Sequence, residues 1–112
     1  MPATNKRTYA RYTQAAVTLV GQLIQAERKQ RRMPLQELAE RVGASRGTLQ
    51  RLEGGDPKVE LGIAFEACTI LGIPLFQEDL VGVKNRVEVM RQRLALLPKY
   101  ARPLQTEADD DF

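Results

Sequence analysis

LQELAERVGASRGTLQRLEGG, residues 35–55, is the stretch that decides how this chain folds. Leu35, Leu38, Ala39 and Val42 recur at steps of three, one and three, which places them on one face of a helix of about two turns. Gly43 follows the last of them, where a chain leaving a helix needs a left-handed residue. Ser45 can then cap a second helix by accepting from the amides that follow it. That helix, RGTLQRLE, carries Leu49 and Leu52 as its inward pair and ends at Gly54-Gly55-Asp56-Pro57, a dense set of turn residues. The reading is helix, tight turn, helix.

Outward from this stretch the pattern stays helical. Upstream, TQAAVTLVGQLIQAERKQRR (13–32) has no proline and spaces Ala16, Val17, Val20, Leu23 and Ile24 as an apolar face. Pro34 disfavours helical geometry at Met33, so the chain must break there and restart. Downstream, ELGIAFEACTILGI places Leu61, Ala64, Phe65, Cys68 and Leu71 on one stripe before Gly72 and Pro74 stop it. This reads as the central, most buried helix, with Cys68 a small buried hydrophobe rather than a reactive thiol.

Past a short PLFQEDLVG segment, VKNRVEVMRQRLALLP sets Val83, Val87, Met90, Leu94 and Leu97 at alternating steps of four and three. That is an a/d seam, expected to join two copies in a homodimer rather than to lie on the chain's own core. The final KYARPLQTEADDDF has no apolar period and ends in an acidic block, the composition of a disordered segment. The expected organisation is a basic extension (1–12), a helix-turn-helix domain (13–80), a C-terminal helix (81–98) and an acidic tail (99–112). The fold class is all-α: a five-helix, repressor-like domain with an extra C-terminal helix and a flexible tail.

The chain has 112 residues, 43% of them hydrophobic and 5% aromatic, enough for one modest core. No run is long and apolar enough for a membrane span, and MPATNKRTYARY lacks the apolar stretch of a signal peptide, so a soluble, cytoplasmic protein is expected. One cysteine and no histidine remove internal disulfides, the usual zinc sites and the Ser-His or Cys-His nucleophile pairs. Neither enzyme chemistry nor a metal or other cofactor is expected. The net charge of +3 is uneven. Residues 1–58 hold eleven Lys and Arg against five Asp and Glu, net +6, and residues 59–112 hold six against nine, net −3. The front half therefore suits a polyanion.

In a helix-turn-helix the second helix enters the major groove of double-stranded DNA. On its polar face Arg46 can fork to guanine O6 and N7, and Gln50 can pair with adenine N6 and N7. Ser45, Thr48, Arg51 and Lys58 complete the expected contact set, with Arg51 and Lys58 directed mainly at phosphate. Gly47 costs roughly 1 kcal/mol against alanine inside a helix. Either a backbone that approaches DNA closely or a local capping or crowding constraint accounts for it.

The stretch LIQAERKQRRMPLQELAERVGASRGTLQRLEGGDPKVELGIAFEACTILGI, about residues 20–73, resembles the phage-repressor-type (XRE, or Cro/CI) helix-turn-helix family. Its ELA, turn glycine, capping serine and final Leu-Glu stand at that family's spacing. SRGTLQRLEGGDP, with the Leu-Leu-Pro and DDDF ending, further resembles HipB-type antitoxins, partners of HipA-like serine/threonine kinase toxins. The resemblance implies a two-fold dimer on a palindromic operator and a protein that represses its own promoter. The alternative is a free-standing phage-type or metabolic regulator with no toxin partner. It also implies that Arg28, late in the first helix, pairs with Glu53, and that a glutamine at the start of the next helix touches the DNA backbone. Pro34 and Leu35 depart from the pattern there, which leaves Gln36 as the nearest polar substitute.

Overall fold

The computed structural model describes residues 8–99, and among them it contains five helices and no strand. They are α1 (Arg11–Gln30), α2 (Leu35–Val42), α3 (Arg46–Glu53), α4 (Leu61–Ile70) and α5 (Leu80–Leu96). The all-α reading holds, with the C-terminal helix itself the fifth. The chain divides into two compact units, one ending at Leu75 and one beginning at Phe76. The first unit thus closes five residues short of the boundary expected at residue 80. The acidic tail from residue 100 and the first seven residues of the basic extension lie outside the described residues.

The core of the first unit is small and contiguous. Ile24, Leu38, Leu49 and Leu71 are fully enclosed, joined by Met33, Ala39, Leu52, Ala67 and Cys68. α2 packs on α3 and on α4, and α1 packs on α3. Leu38 with Ala39 and Leu49 with Leu52 are the inward residues their spacing predicts. Each end of the central pair has a local cause. Gly43 adopts a left-handed φ of 84° and closes α2, and Ser45 Oγ accepts the Thr48 amide at 3.0 Å to open α3.

The first helix departs from expectation in extent and in facing. It begins two residues earlier and stops at Gln30, because Arg31 and Arg32 are consumed in the turn that brings Met33 inward. Arg32 takes a positive φ of 56°, and the Met33 amide donates to the Arg28 carbonyl at 3.0 Å. Of the apolar face read from sequence only Ile24 is buried; Val17 is half-buried, and Ala16, Val20 and Leu23 are exposed. The inward face instead carries Gln14, Thr18, Gly21, Ile24 and Arg28. Its partner explains why: the upper half of α1 meets backbone, not side chains. A Cβ on Gly21 would overlap the Leu52 carbonyl oxygen and lie 2.8 Å from that of Glu53. Gln14 Nε2 donates to the Gly55 carbonyl at 2.9 Å.

The fourth helix keeps Ala64, Cys68 and Leu71 of its expected stripe on the core side, while Leu61 and Phe65 are exposed. Ala67 and Cys68, with Leu71 just beyond, face the core, and Ile63 and Ala64 pack against it. Leu61 is 68% exposed and Phe65 lies on the outer side. α4 is therefore not the most enclosed element. A ten-residue helix that covers a core from one side needs only one inward face.

The second unit holds α5, capped by Asp79, whose carboxylate accepts the Gly82 amide at 2.9 Å. No residue of α5 is buried. Phe76, Val83, Val87, Met90 and Leu94 line an apolar groove of about 440 Å3. Among the described residues no helix is long and apolar enough to cross a membrane.

Candidate nucleic-acid interface

The first turn of α3 is built from residues that serve a helix poorly. Arg46 occupies the first helical position, at the positive end of the peptide dipoles, and no acidic residue stands in that turn to offset it. A cation there costs roughly 0.3–1 kcal/mol. Arg46 is exposed, and among the described residues it has no hydrogen-bond or ion-pair partner. Gly47 follows, and a Cβ placed on it would meet nothing closer than Ser45 Oγ at 4.0 Å. The crowding explanation for this glycine is therefore excluded, since nothing in the fold requires its missing side chain. Only the Ser45 cap favours the turn.

One turn further on, Gln50 is exposed, its amide without a partner among the described residues. Arg46 and Gln50, four residues apart on one helix, share a face. Ser45 and Thr48 are differently disposed. Their hydroxyl oxygens lie 2.8 Å apart and Ser45 Oγ already accepts the Thr48 amide, so both are committed to the cap before any ligand arrives.

The last turn of α3 and the loop after it hold the cations expected to meet phosphate, Arg51 and Lys58. Arg51 Nε donates to Asp56 Oδ2 at 3.0 Å, and the Lys58 amide donates to Asp56 Oδ1 at 2.8 Å. The Lys58 amide, and after it the Arg51 guanidinium, hold the Asp56 carboxyl below its ordinary range. Asp56 thus ties the end of α3 to the following loop and partly neutralises Arg51. Sequence reasoning missed it, although an acid five residues after an arginine, placed before Pro57, is a recognisable turn anchor. Gln36 lies at the exposed start of α2, where its Nε2 donates to Glu40 at 3.2 Å. α2 itself opens without a side-chain cap.

Behind this surface Arg28 and Glu53 meet as a forked pair. Arg28 Nε donates to Glu53 Oε2 at 2.7 Å, Nη2 to Oε1 at 2.9 Å, and Nη1 to the Met33 carbonyl at 2.9 Å. The hydrogen bonds to Glu53 outweigh burial and raise the Arg28 pKa. One guanidinium therefore joins the end of α1, the turn into α2 and the last residue of α3. Arg31 makes a related link, donating to the Leu71 carbonyl at 2.6 Å beyond the end of α4. Cys68 is enclosed in the core, and burial pushes its thiol pKa up. Among the described residues no cluster of His, Cys, Asp and Glu could hold a metal ion.

Residues 24–77 match the helix-turn-helix family, of the XRE type. The match spans the end of α1 through the start of the second unit and contains every core residue named above. What the stretch is similar to is a domain type of DNA-binding transcriptional regulators, and α2, the Gly43 turn and α3 stand where that family has its helix-turn-helix. Comparison with curated proteins and with solved structures gives no match.

Proposed function

We propose that this chain is a sequence-specific transcriptional repressor that reads DNA with the outer face of α3. The observation that carries the reading is the first turn of that helix. An arginine at the positive helix end and a glycine facing open space both cost helix stability, and among the described residues neither serves the fold. Both suit a helix whose N-terminal turn enters a major groove. Arg46 and Gln50 read base edges; Arg51, Lys58 and Gln36 contact the phosphate backbone, with Gly47 letting the helix approach closely. Ser45 and Thr48 hold the turn and present their remaining hydrogen-bonding capacity to phosphate.

The repressor acts as a homodimer on a palindromic operator, with the Val83, Val87, Met90 and Leu94 face of α5 as the seam. In support, this face is apolar, exposed and lines a groove with Phe76. The finer reading is an autoregulating antitoxin partnered by a HipA-like kinase toxin, supported by the resemblance of SRGTLQRLEGGDP and the DDDF ending.

Selection from a pool of random duplexes tests the reading. The wild-type chain is expected to enrich an inverted repeat, and failure to enrich any motif overturns sequence-specific recognition. On the selected site, Arg46→Ala should lose about 1–3 kcal/mol of operator binding and little on random DNA. Arg51→Ala and Lys58→Ala should weaken both alike. Equal losses on both DNAs for Arg46→Ala would make it a phosphate contact.

A further inference from the structure

α1 carries a second apolar stripe that the core does not use. Tyr12, Ala16, Leu19, Leu23 and Ala26 follow one another at steps of four, three, four and three, the spacing of a helix-packing seam. At about 100° per residue this stripe lies opposite Gly21 and Arg28, which face α3. Tyr12 is 86%, Leu19 54% and Leu23 46% exposed, and both alanines are exposed too. From Tyr12 through Ala26 there is no charged residue, in a chain that is 28% charged. A solvated helix face normally carries charge, so this one is suited to being covered.

We propose that the outer face of α1 is a contact between two copies of this chain, packed antiparallel about a two-fold axis near Leu19. The order of large and small side chains selects the occupant and the direction. Antiparallel pairing sets Tyr12 of one copy near Ala26 of the other and Ala16 near Leu23, with Leu19 meeting itself. Tyr12 and Leu23 thereby each find an alanine, and only Leu19, on the axis, meets a bulky group. Parallel pairing would put tyrosine on tyrosine and alanine on alanine, which leaves gaps and clashes in alternate layers. Two identical faces without charge meet with no repulsion.

The stripe is about 21 Å long, and with a width on the order of 10 Å it covers far less than the roughly 800 Å2 per partner of a standard interface. It is accordingly a weak contact that adds to another association rather than replacing it. It is distinct from the α5 seam and does not rest on the DNA-binding reading.

Engineered cysteines test this cleanly, because the native Cys68 is buried. Leu19→Cys should form disulfide-linked dimers under mild oxidation about tenfold faster than Glu40→Cys on the exposed side of α2, since the contact raises the local thiol concentration. Tyr12→Cys alone should not cross-link, whereas Tyr12→Cys mixed with Ala26→Cys should. Adding Leu23→Asp to Leu19→Cys should return cross-linking to the Glu40→Cys rate, with an unchanged melting curve confirming the fold. Leu19→Cys reacting no faster than Glu40→Cys overturns the contact, and self-linking of Tyr12→Cys overturns its direction. No DNA enters the assay, so it stands or falls apart from operator binding.

Discussion

Two glycines make opposite demands. Gly21 is pressed against the Leu52 and Glu53 carbonyls, so Gly21→Ala must push α1 away from α3. A loss of about 1–3 kcal/mol in urea denaturation is expected, the usual cost of overpacking. Gly47 faces open space, and Gly47→Ala should raise stability by roughly 0.5–1 kcal/mol through helix propensity while weakening operator binding. A variant that is more stable and binds equally well would show that DNA does not need that missing side chain. Arg28 and Glu53 are a third case. Removing either partner alone strands a buried charge and should cost about 3–5 kcal/mol, whereas replacing both with apolar residues should cost far less. The Cys68 thiol is harder to ionise folded than unfolded. Its contribution to stability is full below about pH 8.5 and is lost as pH rises through the folded value. Alkylation should accordingly be slow in the native chain and fast in urea.

Among the elements, α2 and α3 were legible in sequence almost to the residue, because their signals are local. Pro34, Gly43, Ser45 and the Gly54-Gly55 pair each start or stop a helix through their own backbone preferences. The facing of α1 was not legible, and that of α4 was legible in Ala64, Cys68 and Leu71 but not in Leu61 and Phe65. What α1 meets is the carbonyl end of a helix more than twenty residues away, and no apolar count along α1 reveals that a glycine and a glutamine belong on its inner side. Asp56 is a different case: its ties to Arg51 and to the Lys58 amide are local, and the turn signal before Pro57 was there to read. The Arg46–Gln50 face was visible because it needs only helical spacing and the chemistry of bases. For α5, exposure of the whole helix makes the seam a matter for sedimentation. Met90→Glu is expected to lower the assembly state of the full chain without lowering its helix content. A variant that sediments as the wild type would move dimerisation off this face.

At the scale of the whole molecule, the charge is divided along the chain, +6 before residue 59 and −3 after it. DNA affinity should therefore fall steeply with salt, and Lys58→Ala should reduce the slope of log affinity against log salt by about one. An unchanged slope would remove Lys58 from the phosphate contacts. The close approach at Gly21 also fixes an order in time. The upper half of α1 docks on the last carbonyls of α3, and Gln14 reaches the glycine just after them. A surface made of another helix's end exists only after that helix has stopped in place. We therefore predict that α2 and α3 assemble first and α1 closes on them late. Stopped-flow measurement of Gly21→Ala should find unfolding accelerated and refolding nearly unchanged, and a refolding rate that fell in proportion to stability would put α1 in the folding nucleus instead.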